Sequence, residues 1–91
     1  MLKRVYVKIY GRVQGVGFRY STSWVARRLG VKGWIRNCED GSVEAVFEGE
    51  NDKIKKILEW CKKGPPLARV EKVEVKEEPY RGEFKNFVIK Y

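Results

Sequence analysis

Three glycines, Gly11, Gly15 and Gly17, fall within seven positions near the start of the chain and separate two segments of different periodicity. Residues 5–10 before them alternate apolar and polar side chains as a strand does, whereas the segment after them has the three- and four-residue spacing of a helix. Glycine adopts backbone conformations that residues with a Cβ avoid, and a turn built from them aims successive N–H groups into one anion-binding concavity. The stretch from Gly11 to Arg19 therefore predicts a strand, an anion-binding turn and a helix in succession.

The first turn of the predicted helix carries the wrong charge for its position. It begins Phe18-Arg19 and contains no acidic residue, although a cation at a helix N-terminus is unfavourable by a few tenths of a kcal/mol to ~1 kcal/mol. An anion held between the loop N–H groups and Arg19 would remove this conflict, which favours a phosphate site. The alternative is a plain strand-to-helix turn whose arginine points to solvent, and the glycines alone do not decide between the two.

Neither of the common glycine-rich nucleotide loops fits the spacing. A phosphate-binding loop of the nucleotide-hydrolase type ends in Gly-Lys-Ser or Gly-Lys-Thr, and this stretch ends Gly17-Phe18-Arg19. The dinucleotide-binding fingerprint requires a third glycine where Tyr20 stands. The predicted anion site therefore belongs to neither class.

Charge is distributed unevenly along the 91 residues, whose net charge is +8. Met1 to Cys38 contains nine lysines and arginines and no carboxylate, whereas Glu39 to Tyr91 contains eleven bases and twelve acids. The half with the glycine stretch is the positive half, so its field attracts anions, either a small phosphorylated ligand or a nucleic acid. The length is that of one domain, residues 1–91.

The composition also indicates where in the cell the protein is located and which cofactors it can bind. No apolar run approaches the length of a membrane span and the N-terminus lacks the apolar block of a signal peptide, so we expect a cytoplasmic protein with no membrane partner. The two cysteines, Cys38 and Cys61, occur without any histidine. They make neither a disulfide framework nor a zinc site, so two reduced thiols and no metal are expected.

Five strands and two helices are predicted from periodicity and turn signals. The strands span about residues 3–10, 33–39, 42–48, 70–77 and 87–91; the helices run from about Phe18 to Leu29, and from an N-cap in Glu50-Asn51-Asp52 to a stop at Gly64. Gly30 ends the first helix, and Asp40-Gly41 is a hairpin turn between the second and third strands.

Each predicted element has one apolar face. On the helices these faces comprise Phe18, Thr22, Val25, Ala26 and Leu29, then Ile54, Ile57, Leu58 and Cys61; on the strands they comprise Val5, Val7 and Ile9, then Val43, Ala45 and Phe47, then Val73 and Val75. On the third strand Glu44 and Glu48 alternate with the inner residues, and Trp24 falls off the first helix stripe and is expected to be partly exposed. Two helices on one side of a mostly antiparallel sheet satisfy these patterns. The predicted fold class is α+β, the ferredoxin-like split βαβ sandwich with a short C-terminal strand.

The possible catalytic groups are few. There is no histidine, the commonest general acid–base, no carboxylate lies near the glycine stretch in sequence, and no nucleophile–histidine pair exists. What remains is Arg19, the loop N–H groups and a neutral polar group brought close by the fold. Asn37 is the best candidate, because it stands on a strand where β-branched or apolar residues are favoured. Its alternative role is a strand-end polar residue beside the Asp40-Gly41 turn.

These groups suit a restricted set of reactions. They hold a phosphoryl group and position a water, which is most of what phosphoryl transfer needs, but they do not protonate a leaving group. A leaving group that departs unprotonated is a carboxylate, whose conjugate acid has a pKa near ~4. A phosphate oxygen with a pKa near ~6 accepts the proton of the water. These constraints select an acyl phosphate as the substrate.

The glycine stretch resembles the signature of the acylphosphatase family, which it matches from Gly11 to Arg19 without departure. A second family motif is similar to residues 33–37 and 40–44, and shorter matches occur at residues 48–49, 64–65 and 87–89. The resemblance covers nearly the whole chain. It implies a ferredoxin-like fold and the hydrolysis of small acyl phosphates to carboxylate and inorganic phosphate, without a metal or other cofactor.

The resemblance also implies roles for single residues. Arg19 and the loop amides bind the phosphate, the loop residues being Gln14, Gly15, Val16, Gly17, Phe18 and Arg19. Asn37 orients the attacking water. Cys38 stands where many animal members carry threonine, so a hydroxyl that would support Asn37 is absent. We expect a monomer with no nucleic-acid partner.

Two other interpretations remain. A basic ferredoxin-like RNA-binding module would stack bases on sheet aromatics, and Tyr6 and Tyr10 lie on the outer face of the first strand, but the Lys/Arg-Gly-Phe/Tyr type of motif does not surround them. Similar domains also occur fused at the start of larger carbamoyl-transferring proteins, a role that would require a partner for this chain.

Overall fold

The computed structural model describes residues 1–91 as five strands and two helices. In chain order these are β1 (Leu2–Arg12), α1 (Phe18–Leu29), β2 (Lys32–Asn37), β3 (Val43–Glu50), α2 (Asn51–Lys63), β4 (Arg69–Glu78) and β5 (Phe87–Ile89). The strands form one sheet in the order β4-β1-β3-β2-β5. All neighbours are antiparallel except β2 and β5, which are parallel. The predicted α+β, ferredoxin-like arrangement of two helices on a sheet is confirmed.

Turn chemistry places the elements close to where the sequence predicts them. Helix α1 has the predicted bounds and ends at Gly30, which takes a left-handed conformation with φ 74°. The predicted turn between β2 and β3 is present, with Gly41 at φ 91° and the Cys38 N–H donating to the Ser42 carbonyl oxygen at 2.8 Å. The N-cap of α2 falls at Glu50, within the predicted stretch, and Asp52 lies in the first turn, although no side-chain hydrogen bond caps the helix.

Strand β1 continues two residues past its predicted end, and Gly11 makes this possible. The register with β4 shifts between Tyr10 and Gly11, and Gly11 has φ 125°. A Cβ at this position would lie 2.2 Å from the carbonyl oxygen of Arg69. The close approach of β4 therefore requires glycine here, and the bulge sets the direction in which the chain leaves the sheet towards α1.

The core lies between the helices and one face of the sheet. Fifteen buried residues form one cluster, comprising Val5, Val7, Ile9, Val13, Phe18, Ala26, Val31, Ile35, Val43, Ala45, Phe47, Ile54, Ile57, Cys61 and Phe87. The rings of Phe47 and Phe87 stack with their centroids 5.7 Å apart. This contact packs the short β5 against β3 at the centre of the sheet. Most of the predicted inward-facing residues are in this cluster, and Val25, Leu29, Leu58 and Val73 pack against it half-buried. Trp24 is 56% exposed, as its position off the stripe indicates.

One predicted core residue, Val75, is not buried. It is 49% exposed and is not part of the core. Because β4 forms one edge of the sheet, Val75 has a neighbouring strand on one side only. The prediction that Val75 faces the core, which rests on its apolar side chain, is therefore wrong.

The face of the sheet opposite the helices is less open than the alternation on β3 suggests. Glu44 and Glu48 are 8% and 3% exposed. Arg4 is buried beside Glu48 at 3.1 Å and also binds Glu78 at 2.9 Å and Glu83 at 2.7 Å. These ion pairs hold the segment between β4 and β5 across the open face. Neither helix has the length and apolar content needed to cross a bilayer.

Candidate active site

A pocket of ≈170 Å³ lies at the N-terminal end of α1, where three parts of the chain meet. The glycine loop and the first turn of α1 form one wall, the end of β2 a second, and the C-terminal residues a third. The lining residues are Val13, Gly15, Gly17, Phe18, Arg19, Tyr20, Asn37, Ile89 and Tyr91. The fold thus brings Arg19 and Asn37, eighteen positions apart in the sequence, to the same small concavity.

The glycines of the loop are needed for backbone conformation, not for space. Gly15 and Gly17 have φ of 72° and 79°, a region that residues with a Cβ rarely adopt. A Cβ on either one would meet no atom within 4 Å, in contrast to the crowding at Gly11. The loop therefore takes a left-handed course on an open surface, which leaves its pocket side accessible to a ligand.

The N-terminus of α1 has donors without side-chain partners. Gly17 is the cap residue, no side-chain hydrogen bond caps the helix, and the first turn contains no acidic residue. The first N–H groups of a helix have no intrahelical acceptor, and together with the helix dipole they make an anion site. The predicted strand, glycine turn and uncapped helix are therefore all present at the pocket.

Arg19 is positioned by the C-terminal residues. Its Nη1 donates to the Lys90 carbonyl oxygen at 3.3 Å, and its guanidinium lies 4.9 Å from the centre of the Tyr91 ring. The Lys90 N–H in turn donates to the Ile35 carbonyl oxygen on β2 at 2.8 Å. No carboxylate pairs with Arg19. Arg19 is half-buried at the pocket wall, and its charge is uncompensated, which suits an anionic ligand.

Asn37 is the last residue of β2 and lies half-buried opposite Val43 of β3. Its side chain forms no hydrogen bond within the protein, although it lines the pocket. A free carboxamide both donates and accepts hydrogen bonds, so Asn37 is able to hold a water molecule beside a bound anion.

Gln14 connects the two halves of the site. Its side-chain amide donates to the Cys38 carbonyl oxygen at 2.7 Å and to the Ser42 carbonyl oxygen at 2.9 Å. The loop is thereby tied to the turn that begins directly after Asn37. Gln14 itself is not among the residues that line the pocket.

The predicted binding set divides into two groups. Gly15, Gly17, Phe18 and Arg19 line the pocket, whereas Gln14 does not and Val16 packs half-buried against the core. Sequence reasoning missed Val13, Tyr20, Ile89 and Tyr91 as lining residues. Tyr20 directly follows the predicted arginine and is 73% exposed, which its place beside the motif could have indicated. No signal in the sequence points to the C-terminal residues.

The pocket offers few acid–base groups: besides Arg19, its ionisable side chains are the phenols of Tyr20 and Tyr91. No carboxylate and no thiol lines it, and the chain has no group of three or more His, Cys, Asp and Glu side chains that could hold a metal ion. Cys61 is fully buried in the core, and burial raises the pKa of its thiol to about 12. The arrangement is therefore suited to binding an anion and positioning a water, not to covalent catalysis by a carboxylate or a thiol.

Comparison with known proteins agrees with this geometry. A family model described as acylphosphatase matches residues 5–89. An acylphosphatase of Thermococcus kodakarensis is 60% identical over 77 residues, which cover 84% of this chain and 85% of that protein. One from Syntrophobacter fumaroxidans is 54% identical over 89 residues, which cover 98% of this chain and 92% of that protein. The crystal structure of an acylphosphatase from Bacillus subtilis superimposes with a TM-score of 0.94 at 35% identity, covering 100% of both chains.

Proposed function

The chain belongs to the acylphosphatase family, and from that premise we propose how its residues hydrolyse acyl phosphates. The protein is an enzyme that cleaves the bond between carboxyl and phosphate in small acyl phosphates and releases a carboxylate and inorganic phosphate. The observation that carries the proposed mechanism is that Arg19 and Asn37 line one pocket at the uncapped N-terminus of α1.

We propose that the phosphoryl group binds in the glycine loop. The backbone N–H groups of residues 14–19 and the guanidinium of Arg19 donate to its oxygens. The left-handed Gly15 and Gly17, the absence of an acidic residue in the first turn and the lack of a carboxylate partner for Arg19 all support this assignment. Fixed donors of this kind stabilise the charge that spreads over the phosphoryl oxygens in the transition state.

Asn37 is proposed to orient the attacking water. The water oxygen forms a bond to phosphorus as the bond from phosphorus to the acyl oxygen breaks, and the acyl oxygen leaves with the electron pair as a carboxylate. The proton of the water passes to a phosphate oxygen, whose pKa near ~6 is suitable. The carboxylate needs no proton from the enzyme because its conjugate acid has a pKa near ~4. We propose that no metal takes part, since the residues proposed here complete the reaction.

We also propose that the protein acts as a monomer in the cytoplasm, as one catalytic unit over residues 1–91, without a nucleic-acid partner. The outer face of the sheet supports the last point. The Tyr6 hydroxyl donates to Glu44, and the Tyr10 hydroxyl donates to Glu74 at 3.0 Å. Lys8 and Lys72 each lie 5.6 Å from the centre of the Tyr10 ring, so that ring is already covered by the protein's own side chains and is a poor platform for stacked bases.

Phosphate binding to the folded protein tests the proposal. A ligand that binds only the folded state stabilises it by RT ln(1 + [L]/Kd), about 2.7 kcal/mol at a hundredfold excess over Kd. Inorganic phosphate should therefore raise the Tm of the wild type and should hardly change that of Arg19→Ala. Arg19→Lys should also be severely impaired, because lysine keeps the charge but not the planar two-point contact. The same variants should lose turnover of benzoyl phosphate.

Two controls separate this result from general electrostatics. Chloride at equal ionic strength accounts for screening, and Arg28→Ala removes an exposed arginine from the other end of α1. An RNA-binding module would instead bind oligonucleotides tightly at low salt, with steep loss as salt rises. Tight oligonucleotide binding without phosphate stabilisation that depends on Arg19 would overturn the proposed mechanism.

A further inference from the structure

A second groove of ≈350 Å³ adjoins the candidate active site along α1. Helix α1 contributes Tyr20, Trp24 and Val25 to it, while α2 and the turn that follows contribute Trp60 and Pro65-Pro66. Its volume lies within the ~300–1,000 Å³ that is typical of small-molecule sites. The mechanism proposed above makes no use of this groove.

Tyr20 lines both the phosphate pocket and the groove. The two concavities also share a wall. The ring of Phe18 in the phosphate pocket packs edge-on against the ring of Trp60 in the groove, with 5.3 Å between the ring centroids. Trp60 is thus held by a residue of the phosphate-binding motif. A molecule seated in the phosphate pocket that extends along α1 passes Tyr20 and enters the groove.

The two concavities differ in the chemistry of their walls. Arg19 is the charged residue of the phosphate pocket, whereas no charged residue lines the groove; the Arg28 guanidinium packs on the Trp24 ring, 4.7 Å from its centre. The groove instead presents two indoles and a phenol ring, and Tyr20 and Trp24 remain 73% and 56% exposed. Exposed aromatic side chains beside a polar anion site favour a ligand with a charged end and an apolar or aromatic end.

We propose that this groove binds the acyl group of the substrate and makes the enzyme selective for acyl phosphates with an aromatic or extended apolar acyl group. The proposal rests on the function proposed above, because the phosphoryl group must first occupy the glycine loop. Tyr20 contacts the part of the acyl group nearest the carbonyl, and Trp24 contacts the distal part. Trp24 is a specificity-determining residue and takes no part in the chemistry.

Helix geometry sets the length of acyl group that reaches each aromatic residue. Tyr20 and Trp24 are four residues apart on α1, which corresponds to one turn and about 6 Å along the axis. The two-carbon acyl group of acetyl phosphate is too short to contact Trp24. A phenylpropanoyl group spans the distance and can stack its ring on the indole. The two substrates therefore report separately on the phosphate pocket and on the groove.

The experiment compares kcat/KM for acetyl phosphate and phenylpropanoyl phosphate in the wild type, Trp24→Ala and Trp24→Phe. We expect Trp24→Ala to lower kcat/KM for phenylpropanoyl phosphate roughly tenfold, the scale of one aromatic contact, and to leave acetyl phosphate unchanged. Trp24→Phe should retain most of the activity on the larger substrate. Tyr80→Ala is the matched control, since it removes a 45% exposed ring in a cleft with Gly30 and Glu50.

The possible outcomes distinguish this inference from the proposed function. If Trp24→Ala leaves both substrates unaffected, or lowers both equally, the groove is not the acyl subsite while acyl phosphate hydrolysis stands. An equal loss in Trp24→Phe and Trp24→Ala would likewise overturn it, because stacking would not be the cause. If the folded wild type hydrolyses neither substrate, both the proposed function and this inference fail.

Discussion

The side-chain amide of Gln14 donates to the Cys38 carbonyl oxygen at 2.7 Å and so fixes the glycine loop to the residue that follows Asn37. We predict that Gln14→Leu lowers the free energy of unfolding by about 1–3 kcal/mol, because two hydrogen bonds are lost and their acceptors are left without a donor. It should also lower kcat, since the loop and Asn37 would no longer be held in one arrangement. Urea denaturation and steady-state kinetics with benzoyl phosphate measure the two effects. An unchanged kcat in the destabilised variant would show that this link has no role in positioning.

Asn37→Ala should lower kcat by roughly 10²-fold or more, the scale of losing one positioned hydrogen-bonding group. Competitive inhibition by phosphate should be largely kept, because Arg19 and the loop are untouched. Asn86→Ala, an exposed asparagine in the segment before β5, is the matched control and should behave as wild type. A near-normal kcat in Asn37→Ala would contradict the water-positioning role.

Neither a metal nor a thiol is expected to contribute to turnover. Activity should survive dialysis against excess chelator, since the chain offers no cluster of metal ligands. The Cys38→Ala, Cys61→Ala double variant should remain active if folded, because no thiol lines the pocket and burial raises the pKa of Cys61 to about 12. A folded protein that loses turnover on chelation would argue for a bound metal.

The turn between β2 and β3 should make stability depend on pH in the acid range. The Ser42 hydroxyl and N–H groups donate to the Asp40 carboxylate, and with Lys8 they lower its pKa to about 2. Because the folded pKa lies below the usual value near ~4, this contribution is present above pH ~4 and is lost as the pH falls towards 2. The Tm of wild type should therefore exceed that of Asp40→Asn at neutral pH, and the difference should shrink below pH ~4. Parallel Tm curves down to pH 2 would rule out this contribution.

The sequence predicts best what depends on neighbours in the chain. The bounds of α1 follow from a three- and four-residue stripe and from Gly30, both of them local signals. Asn37 is also accessible to sequence reasoning, because a polar residue on an otherwise apolar strand is unusual. Its nearness to Arg19 depends on the pairing of β2 with β3 and on α1 packing against the sheet, which the fold class supplies.

What the sequence does not predict depends on distant partners. Glu48 alternates with core residues, a pattern that predicts a solvent-facing side chain. It is instead buried in an ion pair with Arg4, which also binds Glu78 and Glu83 from the end of β4 and the segment after it. Tyr91 reaches the pocket only because β5 lies beside β2, and the pattern of a three-residue strand does not reveal that contact. The exposure of Val75 depends on its place at the edge of the sheet, which alternation along one strand does not encode.

The pairing of β1 with β4 joins residues 57 to 74 positions apart in the sequence, from Arg12 opposite Arg69 to Arg4 opposite Glu78. Contacts so distant in sequence require closure of a long loop before they contribute any stability, and folds rich in them cross a higher barrier and fold more slowly than helical bundles. The glycine loop begins where β1 ends, and Lys90, which orients Arg19, follows that arginine by 71 positions. A nascent chain would therefore contain the complete phosphate-binding motif well before Ile89 and Tyr91 were present to complete the pocket.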